Sequence, residues 1–422
     1  MRMTMLLPAL LAAAGYCLHV QAGSLSLPQA LQRTLQHDAG LQAFPYQLRS
    51  REAEQLQAAL TPNPQLDIGL ENVLGSNENR GFNGAELSLS LSQVIELGQK
   101  RERRITLAQW QSQLQRDQYE LSRLDALANT TRHYLQLLRL QQLQKLAGRQ
   151  IERDTTILNL ASERSQAGNL QDADISRIRL RLQRSQLQLT ELQRAIKRQQ
   201  YQLAARWNAE PDFSEVSGDI SDLPPLPELS ELQTRLQQSP TVQRYLTQQR
   251  IAASRLQLAQ ANSRPDISVS GGVKYNAAVN DTSLMLGVSI PLQLQNPYLG
   301  QQQALTAQQQ LQDKQQQLDM RQLHLLLQQH WLTLQQLRDE TLMINKQLLP
   351  EARQLLQLSL SAYQQGQIDL LNLLSAEDEQ IQAQKQLIES QSQFHLTLLQ
   401  LEHLSGQPMT IAGARTLPAR EY

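Results

Sequence analysis

Leucine and serine alternate without a break over residues 85–92, which read Ala-Glu-Leu-Ser-Leu-Ser-Leu-Ser. Successive side chains of a β-strand point to opposite faces, so every leucine lies on one face and every serine on the other. Past Gly98 the period changes to spacings of three, four and seven. The apolar positions are then Leu107, Trp110, Leu114, Leu121 and Leu124. This spacing is typical of a coiled-coil seam, so the pattern predicts a strand that leads into a very long helix.

The first half of the chain is predicted to hold two strands and two long helices within residues 23–211. Prolines at 62 and 64 end a preceding helical region, because proline stops a helix and favours extended backbone before it. The strands are placed at 65–74 and 84–95, and the helices at 98–166 and 169–208. In the first strand Leu66, Ile68 and Leu70 share one face, as the leucines of the second strand do.

The second half, residues 240–408, is predicted to follow the same plan. Its strands are placed at 266–275 and 283–292, and its helices at 299–365, with a kink at Pro350, and 368–405. A Pro-rich connector, the equatorial segment 212–239, joins the halves, and 409–422 form a C-terminal tail. The first helix of this half carries four leucines seven residues apart, which we interpret as another coiled-coil seam. They are Leu311, Leu318, Leu325 and Leu332.

Three pairs of landmarks mark the two halves as internal structural repeats. They are Pro64 with Pro265, Gly168 with Gly366, and Pro211 with Pro408. Each pair is separated by about 200 residues, and agreement among independent landmarks indicates a duplication.

The N-terminus is typical of an export signal over residues 1–22. Arg2 supplies the positive region, residues 6–14 the apolar core, and Ala22 a cleavage site. Cys17 is the single cysteine of the chain. A lipid-modified Cys17 is the alternative interpretation, although Tyr16 stands where a small residue is expected. Cleavage after Ala22 would leave a chain without cysteine, and therefore without disulfides or thiolate metal sites.

The apolar strand faces have two interpretations. A soluble antiparallel sheet with one buried face shows the same alternation, whereas a tilted transmembrane β-strand needs about 9–11 residues, which is the length found here. We favour the membrane interpretation because the second face carries serine and glycine, the chain is exported, and the helical leucines are assigned to seams. Four strands cannot close, so several copies must share one barrel.

Composition narrows the class further. Only 4% of the 422 residues are aromatic, which suits long helices with narrow apolar seams. The 39 basic and 39 acidic residues balance, so no electrostatic footprint for nucleic acid is present. After the N-terminus no apolar run approaches the length of a membrane-spanning helix.

Two motifs carry a resemblance to a known family. Residues 96–101, Glu-Leu-Gly-Gln-Lys-Arg, are close to Glu-Leu-Gly-Gly-Lys-Arg, with Gln99 as the departure. Tyr363-Gln-Gln-Gly366, followed by Leu-Leu-Asn-Leu-Leu-Ser-Ala at 370–376, is similar to an aromatic-x-x-Gly and Leu-Asp-x-Leu-x-Ala pair. The chain thus resembles the TolC-like outer-membrane efflux proteins over essentially its whole mature length, and more narrowly their CzcC-type branch, which serves heavy-metal cation pumps.

The resemblance implies a fold and a function. The fold would be a mixed α/β membrane protein, in which three protomers give four strands each to a twelve-stranded transmembrane β-barrel and their coiled-coil helices form a periplasmic tunnel. The protein would be a homotrimer in outer-membrane lipid of a Gram-negative bacterium, working with a periplasmic adaptor (membrane fusion protein) and an inner-membrane RND transporter. As the exit channel of this tripartite pump it would pass heavy-metal cations of the Co/Zn/Cd or Cu/Ag class.

Other functions stay open at this stage. A multidrug or type I secretion exit duct would have the same fold. A periplasmic coiled-coil adaptor would also be exported, although adaptors usually have a single hairpin flanked by β domains. A structural coiled-coil protein would not need the Leu/Ser strand.

Three sets of site residues follow from the resemblance and the strand pattern. The tip turns, where an adaptor would dock, are assigned Gly168, Tyr363, Gly366, Leu370 and Leu374. The periplasmic entrance is assigned Asp172, Asp174, Asp369, Asn372, Ser375, Glu377 and Asp378. The barrel lumen is assigned Ser88, Ser90, Ser92, Ser268, Ser270 and Ser289.

The entrance departs from the family pattern. Asn372 and Ser375 stand where better-known members carry a ring of aspartates, and Ile368 where a gating arginine is found, while Tyr363 and Asp174 match gate positions. We therefore expect a gate that leans less on ion pairs, although these acids could equally be a solvated helix end.

No resident metal, cofactor or catalytic group is expected. The histidine pairs are six and eight residues apart, unlike the i, i+4 pair of a metal site on a helix. They are His324 with His330 and His395 with His403. No Ser-His-Asp grouping or phosphate-binding loop can be identified, so the chain is not expected to be an enzyme.

Overall fold

The computed structural model of the chain describes residues 23–166 and 171–406. The predicted signal peptide 1–22 with Cys17, the tip residue Gly168, and residues 407–422, which include the predicted tail 409–422, lie outside the described residues.

Nine α-helices and six strands make up the described part of the chain. In the first half they are β1 (Ser24–Leu25), α1 (Leu27–His37), α2 (Ala39–Ala58), β2 (Gln65–Glu71), β3 (Glu86–Ile95), α3 (Lys100–Gln166) and α4 (Asp172–Ala204). The connector holds β4 (Glu215–Val216) and α5 (Leu229–Gln237). In the second half they are α6 (Pro240–Asn262), β5 (Ile267–Asn276), β6 (Asp281–Ser289), α7 (Leu299–Met343), α8 (Leu349–Gln364) and α9 (Leu370–Ser405). The order of two strands followed by two long helical arms therefore recurs.

The four longer strands form a single antiparallel sheet in the order β2-β3-β5-β6. The two hairpins join where β3 pairs with β5, with Ser90 opposite Gly272. A Cβ on Gly272 would lie 2.4 Å from the carbonyl oxygen of Leu89 and 2.7 Å from the Cα of Ser90. Since real side chains do not approach backbone so closely, glycine at this position permits the two repeats to meet in one sheet.

The long helices pack side by side as a layer around α3. Along one half of its length α3 contacts α2 and α6, and along the other half it contacts α4 and α9. α6 then packs on α7, and α9 packs on α7 and α8. The layer therefore has α2 and α4 at one edge and α7 and α8 at the other.

The connector 212–239 is more structured than the sequence predicts. It contains α5, whose Leu232 and Leu236 are fully buried against α7 and α9. It also contains β4, which pairs in parallel with β1, and the hydroxyl of Tyr134 donates to the carbonyl oxygens of Leu25 and Ser217 beside this pair. The Pro-rich connector therefore includes a packed helix and a short strand.

The predicted helix 299–365 is interrupted. A π-helical turn, Ile344–Leu348, separates α7 from α8 and comes just before Pro350. Proline lacks a backbone N–H, so the regular i→i−4 ladder cannot pass through this point unchanged.

Leu311, Leu318, Leu325 and Leu332, which the sequence predicts as a coiled-coil seam, are all exposed in the protomer, Leu325 to 60%. The seam that α7 presents to α5 and α9 is formed instead by Leu327, Leu334 and Leu337. Because α7 lies at the edge of the layer, its second apolar stripe has no partner within the protomer.

Gln99, which replaces the second glycine of the family motif, lies in the turn from β3 into α3. Gln99 has φ +62°, in the left-handed region that costs a residue with a side chain about 1–2 kcal/mol. The turn is held by Asp266, which accepts from the Lys100 ammonium at 2.7 Å and from the Leu97 amide at 3.0 Å. Arg101 also donates to the carbonyl oxygen of Ala59 at 2.6 Å. The motif thus ties β3, α3, α2 and the start of β5 together.

We expect Gln99→Gly to stabilise the protein by about 0.5–1 kcal/mol, because glycine adopts positive φ without a Cβ penalty but loses more freedom on folding. The thermal unfolding midpoint of the purified protein measures this. Gln99→Ala is the matched control, since alanine keeps the Cβ and should bring no gain. A midpoint that falls equally in both variants would contradict the explanation.

Candidate functional site: a one-sided sheet and the hairpin tips

One face of the sheet is apolar and exposed across all four strands. Ile68, Leu89, Val273 and Leu284 lie in register as one row across it. Leu286 on β6 is 92% exposed, and its neighbours on this face are similarly uncovered. No α-helix of the described residues packs on the sheet broadly enough to cover these side chains. A continuous apolar face of this size marks a surface meant for an apolar environment.

The opposite face of the sheet is polar. All six serines assigned to the lumen lie on it, as the alternation and the strand register require. Two of their hydroxyls donate to carbonyl oxygens of the neighbouring strand: Ser88 to that of Gly69 and Ser270 to that of Gly287, both at 3.4 Å. Glu86 forms an ion pair with Lys274 on the same face. This face is suited to contact with water.

β2 and β6 are the two edge strands of the sheet. On its outer side, neither pairs with a further strand in the parts of the chain that the structure describes. An open edge presents a row of free N–H and C=O groups, which in hydrocarbon would each cost several kcal/mol. The sheet therefore needs further strands if its apolar face is in lipid.

At the far end of the helical layer, the α8–α9 turn is built by local backbone rules. Gly366 has φ +75° and follows α8, with Gln367 N–H donating to the Ala362 carbonyl oxygen at 2.9 Å and Gly366 N–H to that of Tyr363 at 3.0 Å. This is a Schellman turn, which needs glycine at the left-handed position. Asp369 then caps α9, accepting from the Asn372 amide at 2.9 Å.

Three residues assigned to adaptor docking are buried, which corrects that assignment. Tyr363, Leu370 and Leu374 pack with Ile157 and Ile178 in an apolar cluster that joins the two hairpin tips. Their side chains therefore hold the α3–α4 hairpin to the α8–α9 hairpin and cannot present a docking surface. The guanidinium of Arg164, 4.5 Å from the Tyr363 ring centroid, adds a cation–π contact to this junction.

The predicted entrance residues divide into two groups. Asp172, Asn372, Ser375 and Asp378 are exposed, and Asp174 pairs with Arg177 at 3.0 Å. Asp369 is also exposed, although its carboxylate caps α9.

Glu377 corrects the assignment, because it is only 1% exposed. It lies in a buried cluster of charges between α3, α4 and α9.

Arg181 of α4 is the centre of this buried cluster. Its Nε donates to Asp154 Oδ1 at 2.7 Å, one Nη to Asp378 Oδ1 at 2.7 Å, and the other to Glu377 Oε2 at 3.2 Å. Ser185 adds a hydrogen bond to Asp154 Oδ2 at 2.6 Å. One arginine thus joins carboxylates from two other helices. Because α4 also carries Arg177, Arg179 and Arg184, nothing in the sequence distinguished Arg181 from its exposed neighbours.

Burial and neighbouring charges shift the pKa values of Glu377 and Arg181 in this cluster. Burial raises the pKa of Glu377 from its ordinary 4.5 to about 7; the positive charges of Arg181 and Arg153 oppose the shift, and the negative charges of Asp154 and Asp378 add to it. Burial alone would lower the pKa of Arg181, but its bonds to Asp154 and the nearby carboxylates raise it, so it stays charged.

Three of the histidines form hydrogen bonds within the protomer. His324 bonds to the Met320 carbonyl oxygen at 2.7 Å, His395 to that of Ile220 at 3.1 Å, and His403 to Asp125 at 2.6 Å. Over the described ranges, no group of three or more His, Cys, Asp or Glu side chains is arranged to hold a metal ion. Nor does any helix in those ranges combine the length and hydropathy of a membrane span.

The chain resembles known outer-membrane proteins in sequence and in structure. A family model described as outer membrane efflux protein matches residues 30–209. The structure aligns with the outer-membrane channel OprN over 90% of both chains, with a TM-score of 0.76 at 18% identity. Residues 30–209 therefore resemble the outer membrane efflux protein family in sequence. The fold is that of the outer-membrane channels with which the structure aligns, and the resemblance seen in the sequence is confirmed.

Two further proteins are similar to the chain, one in sequence and one in structure. The cobalt-zinc-cadmium resistance protein CzcC of Cupriavidus metallidurans is 29% identical over 283 residues, which are 65% of this chain and 64% of CzcC. The aligned region thus spans somewhat less than two thirds of that relative's length. The structure of CusC aligns over 90% of this chain and 92% of that one, with a TM-score of 0.75 at 13% identity.

The matching family model is described as outer membrane efflux protein, and the aligned structures include outer-membrane channels. The exposed apolar face of the sheet is the part of this structure that suits an outer-membrane location.

Proposed function

We propose that this chain is one protomer of a homotrimeric exit channel that passes heavy-metal cations out of the cell, within a tripartite pump. The observation that carries the proposal is the four-stranded sheet, which has one exposed apolar face, one polar face and two open edges. Such a sheet is stable in lipid only when further copies complete a closed barrel.

Both edges of the protomer favour a ring of copies. The edge formed by β2, α2 and α4 differs from the edge formed by β6, α7 and α8. Contact between unlike edges is head-to-tail, and it closes into a ring when the rotation per copy is right. The smallest membrane barrels have about eight strands, so at least two copies are needed, and the family resemblance favours three.

The helical edges carry matching apolar stripes. On α7 the stripe consists of the four exposed leucines spaced by seven, and on α4 Leu180 and Leu187 are exposed with the same spacing. Leu56 on α2 and Leu60, two residues beyond its end, are exposed as well. Stripes of period seven on facing helices are what a coiled-coil contact needs, so we assign them to the contact between neighbouring protomers.

The length of the helices supports a conduit. α3 has 67 residues, and at 1.5 Å per residue it extends about 100 Å away from the sheet. A ring of such layers would continue the barrel as a tube. The polar sheet face would line the upper part, and the exposed Asn372, Ser375 and Asp378 lie at the far end, where we place the entrance.

The cargo and partners are proposed from likeness. CzcC is a cobalt-zinc-cadmium resistance protein, so cations of that class are the cargo we propose here, with an RND transporter and a periplasmic adaptor as partners. The metal would be carried through and not held. Exposed side chains at the tips, such as Leu371 beside the buried cluster, are better candidates for adaptor contact than the buried residues assigned from sequence.

Deletion of the gene tests the proposal. We expect the deletion strain to lose resistance to one or more of zinc, cobalt, cadmium, copper and silver, with restoration by a plasmid copy. Sensitivity to dyes and antibiotics, measured in parallel, should be unchanged. The reverse pattern would replace metal efflux by multidrug export.

A further inference from the structure

The junction between the two hairpins contains more negative than positive charge. From α3, Asp154 and Arg153 face Glu377, from α4 Arg181 does so, and on α9 itself Asp378 is adjacent. Arg153 is engaged with the side chain of Gln380, which leaves Arg181 as the only one of these cations hydrogen-bonded to the carboxylates.

Glu377 is the least satisfied member of the cluster. Its Oε2 makes the longest of the three ion-pair contacts of Arg181, at 3.2 Å, and its Oε1 is buried and accepts no hydrogen bond from any described residue. A buried carboxylate with one oxygen unbonded is more stable when that oxygen carries a proton. The protonated acid fits the packed junction, and the ionised form is better solvated when α9 moves away.

The structure also provides a place to bend. The π-helical turn Ile344–Leu348 and Pro350 interrupt the outer arm of the α8–α9 hairpin about four turns before its tip. Interruptions of this kind are where long helices bend. Beyond this point the hairpin is held to α3 and α4 by the apolar tip cluster, by Arg164 and by the Arg181 cluster.

We propose that the Arg181 cluster is a proton-controlled joint between the hairpins: with Glu377 protonated the α8–α9 tip is seated on α3 and α4, and loss of that proton favours its separation. The direction follows from linkage. The seated form binds a proton up to a pH near 7, whereas a hydrated glutamate releases it near 4.5. The seated form is therefore most favoured in acid and loses its advantage as pH rises from 4.5 to 7, by at most about tenfold per pH unit for one proton.

Cysteine accessibility tests the joint directly. Ala161 is fully buried in the tip cluster, and Ala161→Cys can be introduced in a chain whose Cys17 is replaced by serine. Alkylation by a maleimide is measured on the purified full-length protein between pH 5 and 7.5. The rate is divided by that of the exposed control Gln364→Cys, which removes the pH dependence of thiol ionisation.

We expect the normalised rate to rise severalfold or more from pH 5 to 7 and then level off. In Glu377→Gln, which mimics the protonated acid, it should stay at the low value throughout. Asp378→Asn, which removes the exposed carboxylate on the same arginine, should keep the rise. If Glu377→Gln fails to assemble, Glu377→Leu carries the same expectation.

A normalised rate that does not change with pH in the unmodified cluster, or that rises equally in Glu377→Gln, would overturn the proposal. The measurement needs neither a transported substrate nor partner proteins. The joint can therefore fail while the proposed export function stands, and the reverse also holds.

Discussion

The double substitution Leu318→Asp and Leu325→Asp is expected to abolish the proposed homotrimer. Both leucines are exposed in the protomer, and we place them against the neighbouring copy. Each buried leucine contributes about 1.5–3 kcal/mol, and a carboxylate facing an apolar stripe adds a desolvation cost of similar size. Because the contact recurs at every protomer boundary of the ring, the effect is multiplied. Native mass measurement of the detergent-extracted protein would show monomers in place of trimers.

The matched control places the same charges beside the stripe. Gln317→Asp and Gln328→Asp change exposed glutamines on the flank of α7, and we expect the trimer to persist. A double leucine variant that remains trimeric would remove these side chains from the contact between protomers.

Arg181→Ala is expected to have the second-largest effect, because it leaves Asp154 and Glu377 buried without their shared cation. Breaking a buried ion pair in this way costs about 3–5 kcal/mol. The loss should be smaller in acid, since a protonated carboxyl needs no counter-ion. Hydrogen exchange at residues 370–380 measures it: we expect faster exchange at pH 7.5 and partial recovery of protection at pH 5, after correction for the intrinsic rate.

Arg184→Ala is the control for that experiment. Arg184 is exposed on the same helix, three residues beyond Arg181, and its loss should leave exchange at the tip unchanged. Equal effects of the two variants would mean that the Arg181 cluster does not protect the tip from hydrogen exchange.

The sequence was sufficient for the strands because their period of two leaves little choice. The alternation of Ser88, Leu89 and Ser90 determines which side chains share a face. The pairing of β3 with β5 and the strand ends, such as Glu71 where the sequence predicts residue 74, had to be learned from the structure. The tip turn at Gly366 was also predicted from the sequence, because a tight reversal after a helix requires positive φ.

The spacing of apolar residues on a helix does not predict which element packs against them. The leucines at 311, 318, 325 and 332 have ideal seam spacing, yet their partner is not in the same protomer. The buried seam of α7 uses Leu327 and Leu334, which the sequence marks no more strongly.

The tip cluster was missed for a related reason. Arg181 and Asp154 are 27 residues apart, and Glu377 is a further 196 along the chain. Nothing local distinguishes them from solvated helix charges, so Glu377 was assigned to an exposed entrance. Only the packing of α9 on α3 and α4 brings them together.

The central claim is that the apolar face of the sheet lies in hydrocarbon while the opposite face lies in water. Adjacent positions on β6 test it: Leu286 is on the apolar face and Met285 on the other. A fluorophore on Leu286→Cys, in protein reconstituted in vesicles, should be quenched by nitroxide attached to lipid chains, and one on Met285→Cys by aqueous iodide. Equal quenching of both positions by iodide, with none by the lipid nitroxide, would contradict the claim.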